Sequence, residues 1–281
     1  MKQILLPTDF SENSWNAIAY AIQLFKDEEC TFHLLNTYIP VIYNLEYVIG
    51  YPEQFGLVDA VRDTSRQNLF KVVSRISSEF IKTKNHTFQT HAKFDTMLSG
   101  VRDAIEEFDI DLIVMGTKGA TGAKEILFGS NTVQVFNEMK CPVLAIPSGF
   151  AYKAPHEILF PTDLDAIYKH SNLKILKDIV SSNQARLNAM HVSTGYELTE
   201  KQERNKDLLE SMFKDSAFLF HDIKTMEVTH AINEFQVKHK INLLVMINNK
   251  HSFFENLFFK NVINQIGFHL NVPFLVIPTE Q

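Results

Sequence analysis

An internal repeat constrains the fold more than any other feature of this chain. ILLPTD at residues 4–9 returns as ILFPTD at 158–163, an offset of 154. DLIVMG at 111–116 returns as NLLVMI at 242–247, and CPVLAIP at 141–147 as VPFLVIP at 272–278, both at an offset of 131. Self-similarity of this kind means one supersecondary plan built twice. The second copy is about 23 residues shorter, and the surplus in the first is the stretch YIPVIYNLEYVIGYPEQFGLVDA, which holds four of the eight tyrosines. Within each copy short apolar runs alternate with amphipathic stretches, as in strand KQILLPTDF followed by helix SENSWNAIAYAIQLFKD. That alternation predicts an α/β fold with two tandem open, mainly parallel five-stranded sheets carrying helices on both faces. The domains are expected at 1–148 and 155–281, joined near SGFAYKAPHE.

Composition narrows the function classes. Of the 281 residues 45% are hydrophobic and 21% charged, enough to bury a core without staples. A net charge of -6 argues against tracking a nucleic-acid backbone, which needs a basic stripe. Cys30 and Cys141 have neither a CxxC nor a CxxH spacing, so they read as buried thiols. No apolar run reaches the length of a membrane span, and MKQILLPTDF meets Asp9 too soon for a secretion signal, so the expectation is a cytoplasmic protein with no membrane partner.

The chemistry concentrates in MGTKGATGAKEILFGSNTV, residues 115–133, which carries four of the ten glycines directly after the apolar run DLIVM. A loop that leaves the carboxyl end of a parallel strand and enters a helix is where open α/β sheets bind ligands, because amides and the helix dipole point outward there. Glycine lets backbone approach an anion closely and take the angles that aim successive N–H groups at it. Gly116 and Gly119 bracket the strand exit, Gly122 extends the loop, and Gly129 with Ser130 falls at a predicted helix N-terminus. Ser130 is expected both to cap that helix and to offer its hydroxyl to a phosphate.

The spacing Gly116-x2-Gly119-x9-Gly129-Ser130, with PTD ending the first strand and CPVLAIP as the last, resembles the ATP-binding signature of the universal stress protein family. The resemblance covers both halves, as in a tandem member with a Rossmann-like fold. It implies that Asp9 hydrogen-bonds the adenine amino group, with Pro7 and Thr8 lining the base site. It implies further that Gly116 and Gly119 approach ribose and phosphates, that Gly129, Ser130 and Asn131 hold the phosphate tail, and that Met115 and Gly122 belong to the same set. The implied cofactor is ATP or another adenine nucleotide, with Mg2+ as an optional companion. The Arg common after the second glycine is Ala120 here, a departure that bears on affinity more than on fold. The resemblance also implies that the two last strands lie antiparallel as an internal pseudo-dimer, and two such chains could pair further. Leaving strands this apolar as open edges would invite aggregation.

The repeat brings its own contrast. At the offset of 131, Gly116, Gly119, Gly122, Gly129 and Ser130 become Ile247, Lys250, Phe253, Lys260 and Asn261, while PTD persists at Pro161–Asp163. The second half is therefore expected to keep the sheet and lose the cradle, with Asp163 as a turn residue. Phe253, Phe254, Phe258 and Phe259 read as packing over the emptied cleft, and Lys250 with Lys260 leaves open an anion held by charge.

Other sites are poorly supported. The first strand is followed by PTDFSENS, not GxGxxG, and no GxxxxGK[ST] is present. His86 and His91 stand five residues apart on a predicted strand, which puts their rings on opposite faces and makes a shared metal unattractive. The expected function is ATP-linked stress regulation or sensing through the first half, not turnover. The alternatives are a slow ATPase or self-phosphorylating protein using Ser130 or Thr121, and a nucleotide-free scaffold acting on an unknown protein partner through the second half. The segment Tyr38 to Tyr51 reads as a solvated loop, a lid or a docking surface.

Overall fold

A computed structural model describes residues 1–39, 57–80, 85–118, 128–193, 197–224, 227–248 and 271–279. The chain forms two compact units, Met1–Met115 and Gly116–Gln281. In the first run β1 (Lys2–Pro7), α1 (Glu12–Leu24), β2 (Cys30–Tyr38), α2 (Leu57–Glu79), β3 (His86–Phe94), α3 (Met97–Phe108) and β4 (Leu112–Gly116), whose last residue opens the second unit. Their order is β3-β2-β1-β4, all parallel. The strands inside this order are nearly continuously apolar, with Ile4, Leu5, Leu6, Phe32 and Leu34 wholly buried, because helices cover both faces. β3 instead is rich in polar residues and has none fully buried, as suits a strand at the edge.

Helix boundaries follow local chemistry. Ser11 caps α1 by accepting from the Ser14 amide, and Thr96 caps α3 by accepting from the Ser99 amide. Asp109 then closes α3 in the left-handed conformation. A methyl group on Gly100 would lie 2.5 Å from Thr37 Cγ2, so α3 rides against β2 at a distance only glycine permits.

The second unit contains α4 (Ser130–Glu138), β5 (Val143–Ile146), β6 (Glu157–Pro161), α5 (Lys174–Ser182), β7 (Arg186–Ser193), α6 (Glu200–Met212), β8 (Ala217–Lys224), α7 (Val228–His239), β9 (Leu243–Asn248) and β10 (Phe274–Pro278). Its strand order is β5-β10-β9-β6-β7-β8. Every pairing is parallel except β5 with β10, where Ala145 faces Phe274 and Leu144 faces Leu275. The two final strands of the repeat thus pair antiparallel, as the family resemblance implied, and Phe128, Phe136 and Phe274 form an aromatic cluster beside the seam. The division between the two units falls inside β4, between Met115 and Gly116. The repeat itself sets the limits we propose for the domains, 1–148 and 155–281.

Each unit also holds a polar relay across three neighbouring strands. In the first, Gln3 Oε1 meets His33 Nε2 at 2.9 Å, and His33 Nδ1 meets His91 Nε2 at 3.1 Å, with the Phe108 ring stacked on both imidazoles. In the second, Asn188 donates to Glu157 at 3.1 Å and its carbonyl oxygen meets His221 Nε2 at 3.1 Å. The registers match: His33 and Asn188 stand beside Leu5 and Leu159, and His91 and His221 beside Leu35 and Met190. Burial, reinforced by the neighbouring His91, lowers the His33 pKa to about 4, so its ring is neutral in the fold. His86 turns to the other face and bonds the Phe25 carbonyl at 2.9 Å. The two histidines of HTFQTH are therefore separate core groups, in line with their spacing.

Candidate functional site

β1 and β4 are hydrogen-bonded neighbours, with Ile4 facing Leu112 and Leu5 facing Ile113. Their carboxyl ends, Pro7 and Met115, therefore leave the sheet side by side, in the position where a parallel α/β sheet presents ligand-binding loops. Pro7 is buried at the end of β1, and Thr8 continues it with an amide bonded to the Leu35 carbonyl at 2.8 Å. The buried Thr8 hydroxyl accepts from the Phe10 amide at 3.0 Å and shares a hydrogen bond with Ser14. Asp9 is exposed, and its Oδ1 accepts both the Ser11 amide at 3.0 Å and the Ser11 hydroxyl at 2.6 Å. This side-chain turn holds Phe10 at a positive φ of 65° and delivers Ser11 as the cap of α1. Asn36 secures the turn from β2 by donating to the Thr8 carbonyl at 2.7 Å, and Ser65 of α2 donates to Asn36 in turn.

On the helix side of the turn a cavity of about 270 Å³ opens between α1 and α2. Trp15 and Arg75 form its wall, with the guanidinium 3.9 Å from the ring centroid and paired to Glu12 and Glu79.

The exit from β4 is built differently. Gly116 and Thr117 are buried, and the Thr117 amide donates to the Ile146 carbonyl at 3.0 Å. The Gly129 amide then donates back to the Thr117 carbonyl at 2.7 Å, and the Thr132 hydroxyl to the Gly116 carbonyl at 3.1 Å. These bonds pin the start of α4 against the strand end. Gly129, not Ser130, is the N-cap, and it supplies no side-chain bond. The expectation that Ser130 caps α4 is thus corrected. Ser130 already has helical angles as the first residue of the helix, where its hydroxyl lies past the position from which a cap reaches the amides. The consequence is an exposed helix start at Ser130 and Asn131 whose first amides have, among the described residues, neither an intrahelical acceptor nor a capping side chain. That arrangement is receptive to an anion. Gly119, Gly122, Ala120 and Thr121 lie outside the described residues.

The corresponding turn of the second unit keeps the first unit's hydrogen bonds in detail. The Thr162 amide donates to the Met190 carbonyl at 2.8 Å, the Thr162 hydroxyl accepts from the Leu164 amide at 2.9 Å, and Asp163 Oδ1 accepts from the Asp165 amide at 2.9 Å. Leu164 takes a φ of 61°, and His191 replaces Asn36 on the Thr162 carbonyl at 3.0 Å. Beyond the turn the two units part. Tyr168 stands in the place of Ser14 and hydrogen-bonds Thr162, and burial drives its phenol pKa up. The first helix waits until Lys174. The carbonyls freed by that delay are taken by α6: Gln202 donates to Asp163 O at 2.9 Å, and Asn205 to Leu164 O at 2.7 Å and Ala166 O at 3.1 Å. Ile247 is buried in β9 where Gly116 ends β4, whereas Lys250, Phe253, Phe254, Phe258, Phe259, Lys260 and Asn261 lie outside the described residues.

In the first unit the structure places Pro7, Thr8 and Asp9 in one turn with Met115 at the end of the neighbouring strand; in the second it places Gly116, Gly129, Ser130 and Asn131 around the start of α4. Sequence reasoning missed the residues that brace these groups, namely Asn36, Thr117 and Thr132. A threonine two positions into a helix that follows a glycine cap was the available signal for Thr132. Asn36 had none, because its partner is 28 residues away in sequence. Among the described residues no group of three or more His, Cys, Asp or Glu side chains could hold a metal, and no helix is long and apolar enough to cross a membrane.

Parallel strands alternating with helices, and a strand-end turn that recurs in both units, define a Rossmann-like α/β protein built on a repeat. The profile of the Universal stress protein family matches residues 1–147, and the chain belongs to that family. It is 32% identical over 152 residues to a universal stress protein of Methanocaldococcus jannaschii, covering 52% of this chain and 81% of that one. It is 24% identical over 147 residues to universal stress protein YxiE of Bacillus subtilis, covering 51% of this chain and 97% of the relative. A universal stress protein from Archaeoglobus fulgidus superposes with a TM-score of 0.67 at 18% identity, over 98% of this chain and 96% of its own. Shorter relatives that match about half of this chain, together with the internal repeat and a structural neighbour that matches the whole, mark it as a tandem member.

Proposed function

We propose that the protein is a stress-response regulator that binds ATP or another adenine nucleotide through its first domain only. The observation that carries this reading is the start of α4, pinned to the β4 exit by Gly129 and Thr132 and left without a side-chain cap. The amides of Ser130 and Asn131, without a side-chain acceptor among the described residues, suit phosphate oxygens, and the exposed Ser130 hydroxyl adds a donor. Asp9, with Pro7 and Thr8, is assigned to the base, and Met115, Gly116, Gly119 and Gly122 to the ribose and phosphate path, as in the family signature. Mg2+ enters as the companion of a triphosphate, held through phosphate oxygens. The second domain keeps the Asp163 turn for its structural work, and Lys260 and Ile247 stand where Gly129 and Gly116 would be needed.

Thermal melting with ATP, ADP and AMP tests this. ATP at about a hundred times its Kd should stabilise the protein by about 2.7 kcal/mol, and Gly129→Lys should erase the shift while leaving the unliganded melting temperature within a few degrees. If no adenine nucleotide moves the transition, or if Gly129→Lys responds as the parent does, the reading is wrong.

A further inference from the structure

The outer edge of the first unit carries a groove that the nucleotide reading does not use. It has a volume of about 720 Å³ and runs between α2 and β3, lined by Arg66, Leu69, Phe70 and Val73 on the helix and by Phe88, Thr90, His91, Ala92 and Lys93 on the strand. Phe70 is 72% exposed on its rim and Phe94 56% exposed at its end. Aromatic exposure on that scale is what binding surfaces show.

The strand beside the groove is an unfinished ladder. β3 pairs only with β2 among the described residues, in an unbroken parallel register of nine residues with no bulge and no proline. The Cys30 amide donates to the Asn85 carbonyl, and parallel pairing then directs residues 87, 89, 91 and 93 toward β2. The amides and carbonyls of Phe88, Thr90, Ala92 and Phe94 face outward. A regular edge of this length, with Lys93 as its sole charged residue and neither bulge nor proline, is a template for one more strand. In the second unit the corresponding edge is dressed otherwise. The Lys206 ammonium lies 5.0 Å from the Phe220 ring centroid, and Phe213 stacks on Phe218.

Charge selects the guest. The chain as a whole is acidic, yet the described lining of the groove carries two cations, Arg66 and Lys93, and no carboxylate. Lys93 is paired with Glu107 at 2.9 Å, whereas Arg66 is exposed and has no acidic partner among the described residues. We propose that this edge binds an extended peptide segment of a partner protein by strand addition to β3. Its bulky apolar side chains alternate into the space under α2, and an acidic side chain meets Arg66. Backbone hydrogen bonds supply the affinity, and the apolar pocket with the guanidinium supplies the selectivity.

The probe is a fluorescent octapeptide alternating valine and glutamate with one central phenylalanine, titrated into the full-length protein and followed by anisotropy and by amide exchange. Binding in the micromolar range is expected, with slowed exchange at the Thr90 and Ala92 amides. Arg66→Glu should weaken binding about tenfold, the loss that a 1.4 kcal/mol charge contact represents. Ala92→Pro should abolish it while leaving the melting temperature nearly unchanged, because the amide removed is one that β2 does not use. Absence of binding overturns the proposal, as does binding that neither substitution alters. Equal affinity for the same peptide with lysine in place of glutamate overturns the charge assignment and with it the proposed guest. Concentration-dependent self-association that Ala92→Pro removes, with no peptide binding, assigns the edge to a second copy of the chain instead.

Discussion

The turns after β1 and β6 are the same turn with different surroundings. Both tie a threonine hydroxyl to the amide two residues on, both use an aspartate to accept another amide, and both place one residue at a φ near 60°. In the first unit the turn runs straight into α1 and leaves Asp9 exposed. In the second it is followed by eight irregular residues, Tyr168 fills the position of Ser14, and α6 reaches over to bind the carbonyls of Asp163, Leu164, Asp165 and Ala166. A PTD motif therefore survives on its structural merits alone. What separates the two turns is the element that follows: α1 begins at once after the first, whereas α6 closes over the second.

Substitutions can break or sharpen this contrast. The largest effect is expected from Asn205→Leu, which strands the carbonyls of the buried residues Leu164 and Ala166 without donors. Leaving such groups unpaired costs about 1–3 kcal/mol, read as a loss in chemical denaturation, and the first unit's nucleotide response should be untouched. A change within experimental error would mean that α6 merely borders the turn. Next comes the pair Gly100 and Ala231, which occupy equivalent positions on α3 and α7. Gly100→Ala should cost about 1–3 kcal/mol through the clash with Thr37, outweighing the roughly 1 kcal/mol that alanine gains over glycine inside a helix. Ala231→Gly should lose only that propensity difference. Stabilisation by Gly100→Ala would show that α3 can lift from β2 without strain.

The smallest effect at neutral pH is expected at the relay. A histidine whose pKa is near 6.5 unfolded and about 4 folded is charged more readily in the unfolded chain, so protons favour unfolding across that window. The stability that neutral His33 secures is complete above pH 6.5 and falls as pH drops toward 4. His33→Asn, which copies Asn188 of the second unit, should leave melting at pH 7.5 almost unchanged and flatten the decline between pH 6.5 and 4. An unaltered acid profile would move the proton-sensitive step elsewhere, with His91 and His221 next in line because burial lowers both pKa values.

Much of the fold was legible in the chain. PTD and its copy, the apolar runs DLIVM and NLLVM, and the two final strands marked out the repeated α/β plan, and family resemblance anticipated the antiparallel pairing of β5 with β10. The helix start at Ser130 was placed correctly, but its cap was assigned to the wrong neighbour. Which of two adjacent residues takes the non-helical angles depends on how Thr117 and Thr132 fasten the strand end, and that is a matter of tertiary packing. The relay, the clamp from α6 and the groove beside β3 left no trace in spacing, because their members come from different strands and helices.

By itself, then, the sequence determined the α/β alternation, the doubling of the plan and the positions of the strand-end motifs. Hydrophobic period and turn chemistry are properties of a few consecutive residues, and they survive being read in one dimension. Only the tertiary structure decided that Gly129 is an open cap, that Asp163 sits under α6, that His33 is held neutral beside His91, and that Arg66 borders an unfinished sheet edge. Each of these depends on strand register and helix placement, which bring together groups that lie tens of residues apart and set their burial and partners.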